Sequence, residues 1–103
     1  MLTGKCKTDF RKWYKNKYFP HLHIGGERGL IDFFAMPFEP QQGVYLAFFR
    51  DKGIEIYSDI RNDDLYEFYV WKKYADPAII LSPLEFNEGL KCAMEKANEI
   101  YNT

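Results

Sequence analysis

The stretch YEFYVWKKY, Tyr66 to Tyr74, places large rings on both faces of an extended segment. Side chains alternate with a period of two along a strand. Tyr66, Phe68, Val70 and Tyr74 therefore share one face with Lys72, while Glu67, Tyr69, Trp71 and Lys73 share the other. The preceding GIEIYSD alternates in the same way, with Ile54 and Ile56 on the core side and Glu55 and Tyr57 on the opposite side. The polar DIRNDDL between them reads as a turn of moderate length, so the pair is predicted to form a hairpin. AIILS, Ala78 to Ser82, set off by Asp76 and Pro77, is predicted as a third short strand.

The flanking segments change to a helical period. Cys6, Phe10, Trp13 and Tyr14 form a buried stripe over residues 4–18, with Thr3 as its N-cap, and Pro20 stops the helix. PHLHIGGERG is predicted to be a loop, its glycines supplying turn freedom. Leu30 to Met36 reads as a short helix ended by Pro37. Pro40 opens the next helix at its first position; that helix runs through Lys52, with Val44, Tyr45, Phe48 and Phe49 inward and Gly53 as its C′ residue. Ser82, Pro83 and Glu85 supply an N-cap, a proline at N1 and a capping-box carboxylate for the last helix. Its inward stripe is Phe86, Leu90, Ala93, Ala97 and Ile100, and Gly89 with the two alanines permits close approach to a neighbour.

These elements predict one α+β domain over residues 1–103: a small antiparallel meander of about three strands packed against N-terminal, central and C-terminal helices. At 103 residues a chain supports one hydrophobic core, and an aromatic content of 18% makes rings much of what it can bury. No apolar run approaches a membrane span, and MLTGKCKTDF lacks the apolar stretch of a signal peptide. With two widely separated cysteines, Cys6 and Cys92, both on predicted buried helix faces, the expectation is a cytoplasmic protein with reduced thiols.

A net charge of −1 conceals an asymmetry. Residues 1–28 carry seven cations against two carboxylates, a balance of +5, which leaves −6 for the remainder. A basic N-terminal end of this kind steers toward an anion or an acidic partner surface.

Catalytic and metal chemistry find little support. His21 and His23 are the only histidines, and a structural zinc site needs about four ligands. Gly25-Gly26-Glu27-Arg28-Gly29 lacks both the preceding strand and the terminal Lys-Ser/Thr of a phosphate loop. Asn62-Asp63-Asp64 lacks the glycine and distal glutamate of a calcium loop. Ser58 and Ser82 have strand-exit and helix-cap explanations, and no histidine stands locally beside a serine or cysteine. The expectation is a non-enzyme without cofactor or metal.

Two binding readings use the same residues. Tyr57, Tyr69 and Trp71 are candidate anchors, with Lys73 beside them and Arg11, Lys12 and Lys15 as a second, electrostatic patch. Rings and cations together bind single-stranded nucleic acid. A pI near 6.1, and Glu55, Asp59 and Glu67 along the outer hairpin face, oppose that use. A protein-docking surface fits with fewer conflicts, since Tyr, Trp and Arg dominate interface hot spots. The competing structural expectation is that the Leu30–Phe34 helix and the Phe38 segment cover the outer rings.

TGKCKTDFRKWYKNKY at the start, LIDFF and QQGVYLAFFRDKGIEI in the middle and AMEKANEIYNT at the end resemble small orphan proteins of bacteriophages and prophages, including the anti-CRISPR and anti-defence type. The resemblance lies in packing and capping patterns and carries over no assigned site. It implies an inhibitor that binds a host protein or protein–RNA complex, such as a CRISPR effector, in the host cytoplasm. The expected state is a monomer or weak homodimer.

Overall fold

The computed structural model describes residues 1–20, 23–62, 64–74 and 78–103, with the side chains of 24, 25, 62 and 82, and that of His23, outside the described set. The order is α1 (Gly4–Tyr18), α2 (His23–Ala35), α3 (Phe38–Asp51), β1 (Ile54–Asn62), β2 (Leu65–Lys72), β3 (Ile79–Leu84) and α4 (Phe86–Asn102). The three strands form one antiparallel sheet in the order β1-β2-β3, so this is the α+β meander that the alternation predicts. No helix among the described residues is long and apolar enough to cross a membrane.

One core joins the helices to one face of the sheet. Ile54, Phe68 and Val70 from the strands are buried with Cys6, Phe10, Phe33, Tyr45, Phe48 and Met94 from the helices. Phe10 is its centre, with the rings of Phe33, Tyr45 and Phe48 at 5.5, 5.3 and 5.2 Å, the last edge-on. Tilted and edge-on aromatic pairs add to the burial of ring area. Trp13 sits at the edge of the α1 stripe, where its indole Nε1 donates to Asp51 Oδ2 at 2.9 Å. α4 lies on β2, and Gly89 makes that possible: a Cβ there would run into the Phe68 ring.

The structure departs from the sequence pattern at six places. α2 begins at His23 and runs through Gly25 to Gly29, where the glycines predict a loop. Glycine is a poor helix former, but here it permits packing: a Cβ at Gly29 would overlap the Phe19 ring, and Glu27 on the same helix reaches α1. Pro40 is the third residue of α3, not the first, with Pro37 at the N-cap; Gly53 does follow the helix at φ +83°. The capping box does not form, because Ser82 and Pro83 belong to β3 and α4 starts at Phe86 with Glu85 as its N-cap. β1 and β3 run beyond their predicted ends, with Ile60 to Asn62 in β1 and Pro83 and Leu84 in β3, whereas β2 starts one residue earlier and ends at Lys72; β1 has a register shift against β2 between Ile60 and Asn62. Tyr74 is not on the core face: it follows β2 in a left-handed turn at φ +67° and is 93% exposed. Cys6 is buried as expected, whereas Cys92 is half-buried, and both are free thiols. His21 lies outside the described residues, as does Asp63.

Candidate functional site

The ladder of β1 and β2 sets Tyr57 opposite Tyr69, Glu55 opposite Trp71 and Asp59 opposite Glu67. Tyr69 in turn stands opposite Ile80 of β3. Directly opposed residues of an antiparallel pair point to the same side. Tyr57, Tyr69 and Ile80 therefore form a row across all three strands on the face away from the core, with Trp71 beside it. Tyr57 is 51% exposed, Trp71 38% and Ile80 61%, and Tyr69 is half-buried.

The helical segments expected to cover these rings lie elsewhere. Phe33 and Phe34 of α2 pack on Phe10 in the helical layer, and Phe38 lies under Lys91 of α4. Among the described residues α2 instead packs on α1, through the Glu27 ion pairs and the Gly29–Phe19 contact, and Tyr57, Trp71 and Ile80 stay exposed.

Polar groups fix the rim of this face. Tyr69 donates its hydroxyl to Glu67 Oε2 at 2.9 Å, and Glu67 Oε1 pairs with Arg61 Nε at 3.2 Å. The Tyr69 hydroxyl is held above its ordinary pKa, first by the hydrogen bond to Glu67, then by desolvation and the charges of Glu67 and Asp59. Glu55 pairs with Arg50 Nε at 3.4 Å. Lys73 falls beyond the end of β2, its ammonium 5.5 Å from the centre of the Tyr74 ring.

The second patch does not join the rings and does not hold together. Arg11 and Lys15 of α1 both turn to Glu27 of α2, at 3.2 and 2.6 Å. The Glu27 carboxyl is accordingly held below its usual pKa, chiefly by the Lys15 hydrogen bond and charge. Lys12 instead lines a groove of about 500 Å³ with Asp9, Trp13, Asn16, Lys17, Asp51 and Lys52. α1 packs on α2, α3 and α4, in the layer of helices rather than on the ringed face of the sheet.

Burial accounts for the other perturbed groups. The Cys6 thiol is pushed up to about 12 by desolvation, reinforced by Asp9, and the Tyr45 hydroxyl to about 12 by desolvation. Tyr101 donates to Asp9 Oδ2 at 2.6 Å and is raised by burial and by that carboxylate. Among the described residues, no group of three or more His, Cys, Asp or Glu side chains is placed to hold a metal ion.

No protein-family model, curated protein or solved structure matches this chain. Sequence reasoning missed Ile80, whose partnership with Tyr69 depends on the β2–β3 register. Its alternation with Ile79 and Leu81 was the available signal.

Proposed function

We propose that this chain is a non-catalytic protein-binding module that docks a partner through the outer face of its sheet. One observation carries the reading: Tyr57, Trp71 and Ile80 stand exposed on a three-stranded platform whose rim is polar. Rigid rings inside a polar rim are the usual anatomy of an interface hot spot. The partner we propose is a host defence ribonucleoprotein or nuclease, inhibited by being bound. The resemblance to phage and prophage proteins supports that choice. So does charge, because the carboxylates Glu55, Asp59 and Glu67 around the rings outnumber Arg50 and Arg61, which pair with two of them, and the acidic excess suits a cationic surface of the kind that holds nucleic acid. Occupying that surface would compete with guide or target strands.

Direct binding of single-stranded nucleic acid is the competing reading. It requires rings and cations on one surface. Here the α1 cations stand in a different layer from the rings, and Arg11 and Lys15 are already paired with Glu27.

Affinity capture from host cells with the wild type, Tyr57→Ala/Trp71→Ala and Lys12→Glu separates the readings. A protein or protein–RNA complex held by the wild type and the α1 variant, but lost by the sheet variant, is the expected result. Capture unaffected by the sheet variant overturns the docking face. Binding of free RNA that falls steeply between about 50 and 200 mM salt identifies the nucleic-acid reading instead.

A further inference from the structure

The sheet has two edges, and they are unlike. β3 carries Pro83 and a register break against β2 between Tyr66 and Phe68, two devices that discourage further pairing. β1 pairs in regular register from Ile54 to Ile60 and carries no proline. The Lys73 N–H donates to the Gly53 carbonyl at 2.7 Å, which sets the phase of the ladder. Hydrogen-bonded pairs alternate along an antiparallel ladder. Odd-numbered residues of β1 therefore bond to β2, and the N–H and C=O groups of Ile56, Ser58 and Ile60 point out from the free edge. Among the described residues none of these groups has a hydrogen-bond partner.

The side chains along this edge are self-complementary. We propose that β1 pairs antiparallel with β1 of a second copy of this chain about a two-fold axis at Ser58, joining two sheets into one of six strands. A two-fold axis perpendicular to the sheet keeps each face on its own side, so odd residues meet odd and even meet even. With the axis at Ser58, Glu55 stands opposite the second copy's Arg61, and the symmetry repeats this attraction. On the other face Ile60, 64% exposed in the single chain, is set against Ile56 of the second copy. Neighbouring registers are disfavoured by charge. An axis at Tyr57 puts Glu55 opposite Asp59, and an axis at Asp59 puts that carboxylate opposite itself. Like charges directly opposed across strands are destabilising.

The single chain does not obstruct this pairing. Tyr57 to Arg61 are exposed on both faces, so the inner side of the strand is uncovered where the second strand would lie. Arg61 is held by Glu67 and Glu55 by Arg50, but a guanidinium has five donors and a carboxylate about four acceptor positions. Each can serve a second partner. Pairing forms about six backbone hydrogen bonds through Ile56, Ser58 and Ile60. The inference rests on the free edge and its charges, and stands whether or not the ringed face docks a protein.

Sedimentation of the full chain up to about 1 mM, with Glu55→Arg and Arg61→Glu each alone and then mixed, tests it. The wild type is expected to dimerise reversibly. Each single variant opposes like charges in the homodimer and is expected to weaken association about tenfold or more. In the mixture the native Glu55–Arg61 contact forms once, and the two substituted positions face each other with opposite charges. A heterodimer of wild-type strength is therefore expected. Far-UV circular dichroism confirms that both variants fold, and Ser58→Pro, which removes an edge donor, gives an independent monomer. A wild type that stays monomeric throughout overturns the proposal. So does a dimer indifferent to all three substitutions, or two variants that fail to associate when mixed.

Discussion

Asn102 caps the first helix from the end of the last. Its Oδ1 accepts the Cys6 backbone N–H at 2.8 Å, and its Nδ2 donates to the Thr3 carbonyl at 2.9 Å. Thr3 occupies the N-cap position of α1 but makes no side-chain cap of its own. Its hydroxyl instead accepts from Asn98 Nδ2 at 3.0 Å, and its N–H donates to Asn98 Oδ1 at 2.9 Å. The first amides of a helix have no intrahelical partner, so an acceptor there satisfies a group that would otherwise be unpaired.

Removing that cap is expected to destabilise the whole fold rather than fray one helix. Asn102→Ala is expected to cost about 1–2 kcal/mol in urea unfolding, the range of a lost N-cap. Asn102→Asp keeps the acceptor and loses the Thr3 donor bond, so it is expected to fall between wild type and alanine.

Two glycines in helices are expected to respond oppositely to alanine. Gly89→Ala drives a methyl into the Phe68 ring and is expected to lower stability by about 1–3 kcal/mol, despite alanine's better helix propensity. Gly43→Ala in α3 meets nothing within 4 Å and is expected to raise stability by about 0.5–1 kcal/mol. Thermal unfolding of the two variants side by side checks both signs.

The two thiols are expected to differ in reactivity. Cys6 is fully buried with its pKa raised to about 12, and Cys92 is half-buried on α4. In the native protein at about pH 8, a disulfide reagent is expected to titrate Cys92 first, with Cys6 following only as the fold opens. Both react at once in denaturant.

The ion pairs of Glu27 make a small acid-sensitive contribution. Its folded pKa lies below the ordinary value of 4.5, so the stabilisation is present above that value and is lost as pH falls through the depressed one. Unfolding from about pH 6 to about pH 3 is expected to show a steeper loss for the wild type than for Glu27→Gln. The group is exposed, so about 0.5 M salt is expected to remove the difference.

Alternation determined the hairpin and its core face, because a period of two records which side of a strand meets the core, and the short apolar run AIILS set off by Asp76 and Pro77 marked the third strand. The stripes of α1, α3 and α4 followed from the helical period for the same reason: Phe10, Tyr45, Phe48, Leu90 and Ala93 are buried where spacing puts them. Of the candidate site, the shared face of Tyr57, Tyr69 and Trp71 was legible, since opposed positions in a hairpin follow from alternation.

Tertiary structure decided what depends on distant partners. Five consecutive residues containing three glycines read locally as a turn, yet they are helical because Phe19 and Lys15 need room and Glu27 needs two cations. Ser82 and Pro83 read as a helix start, yet the pairing of Leu81 and Leu84 with β2 carries the strand past them. The exposure of Tyr57 and Trp71 was open in sequence, because it turned on where α2 would pack. Alternation can separate the two faces of a sheet; only contacts between elements far apart in the chain determine which face is covered.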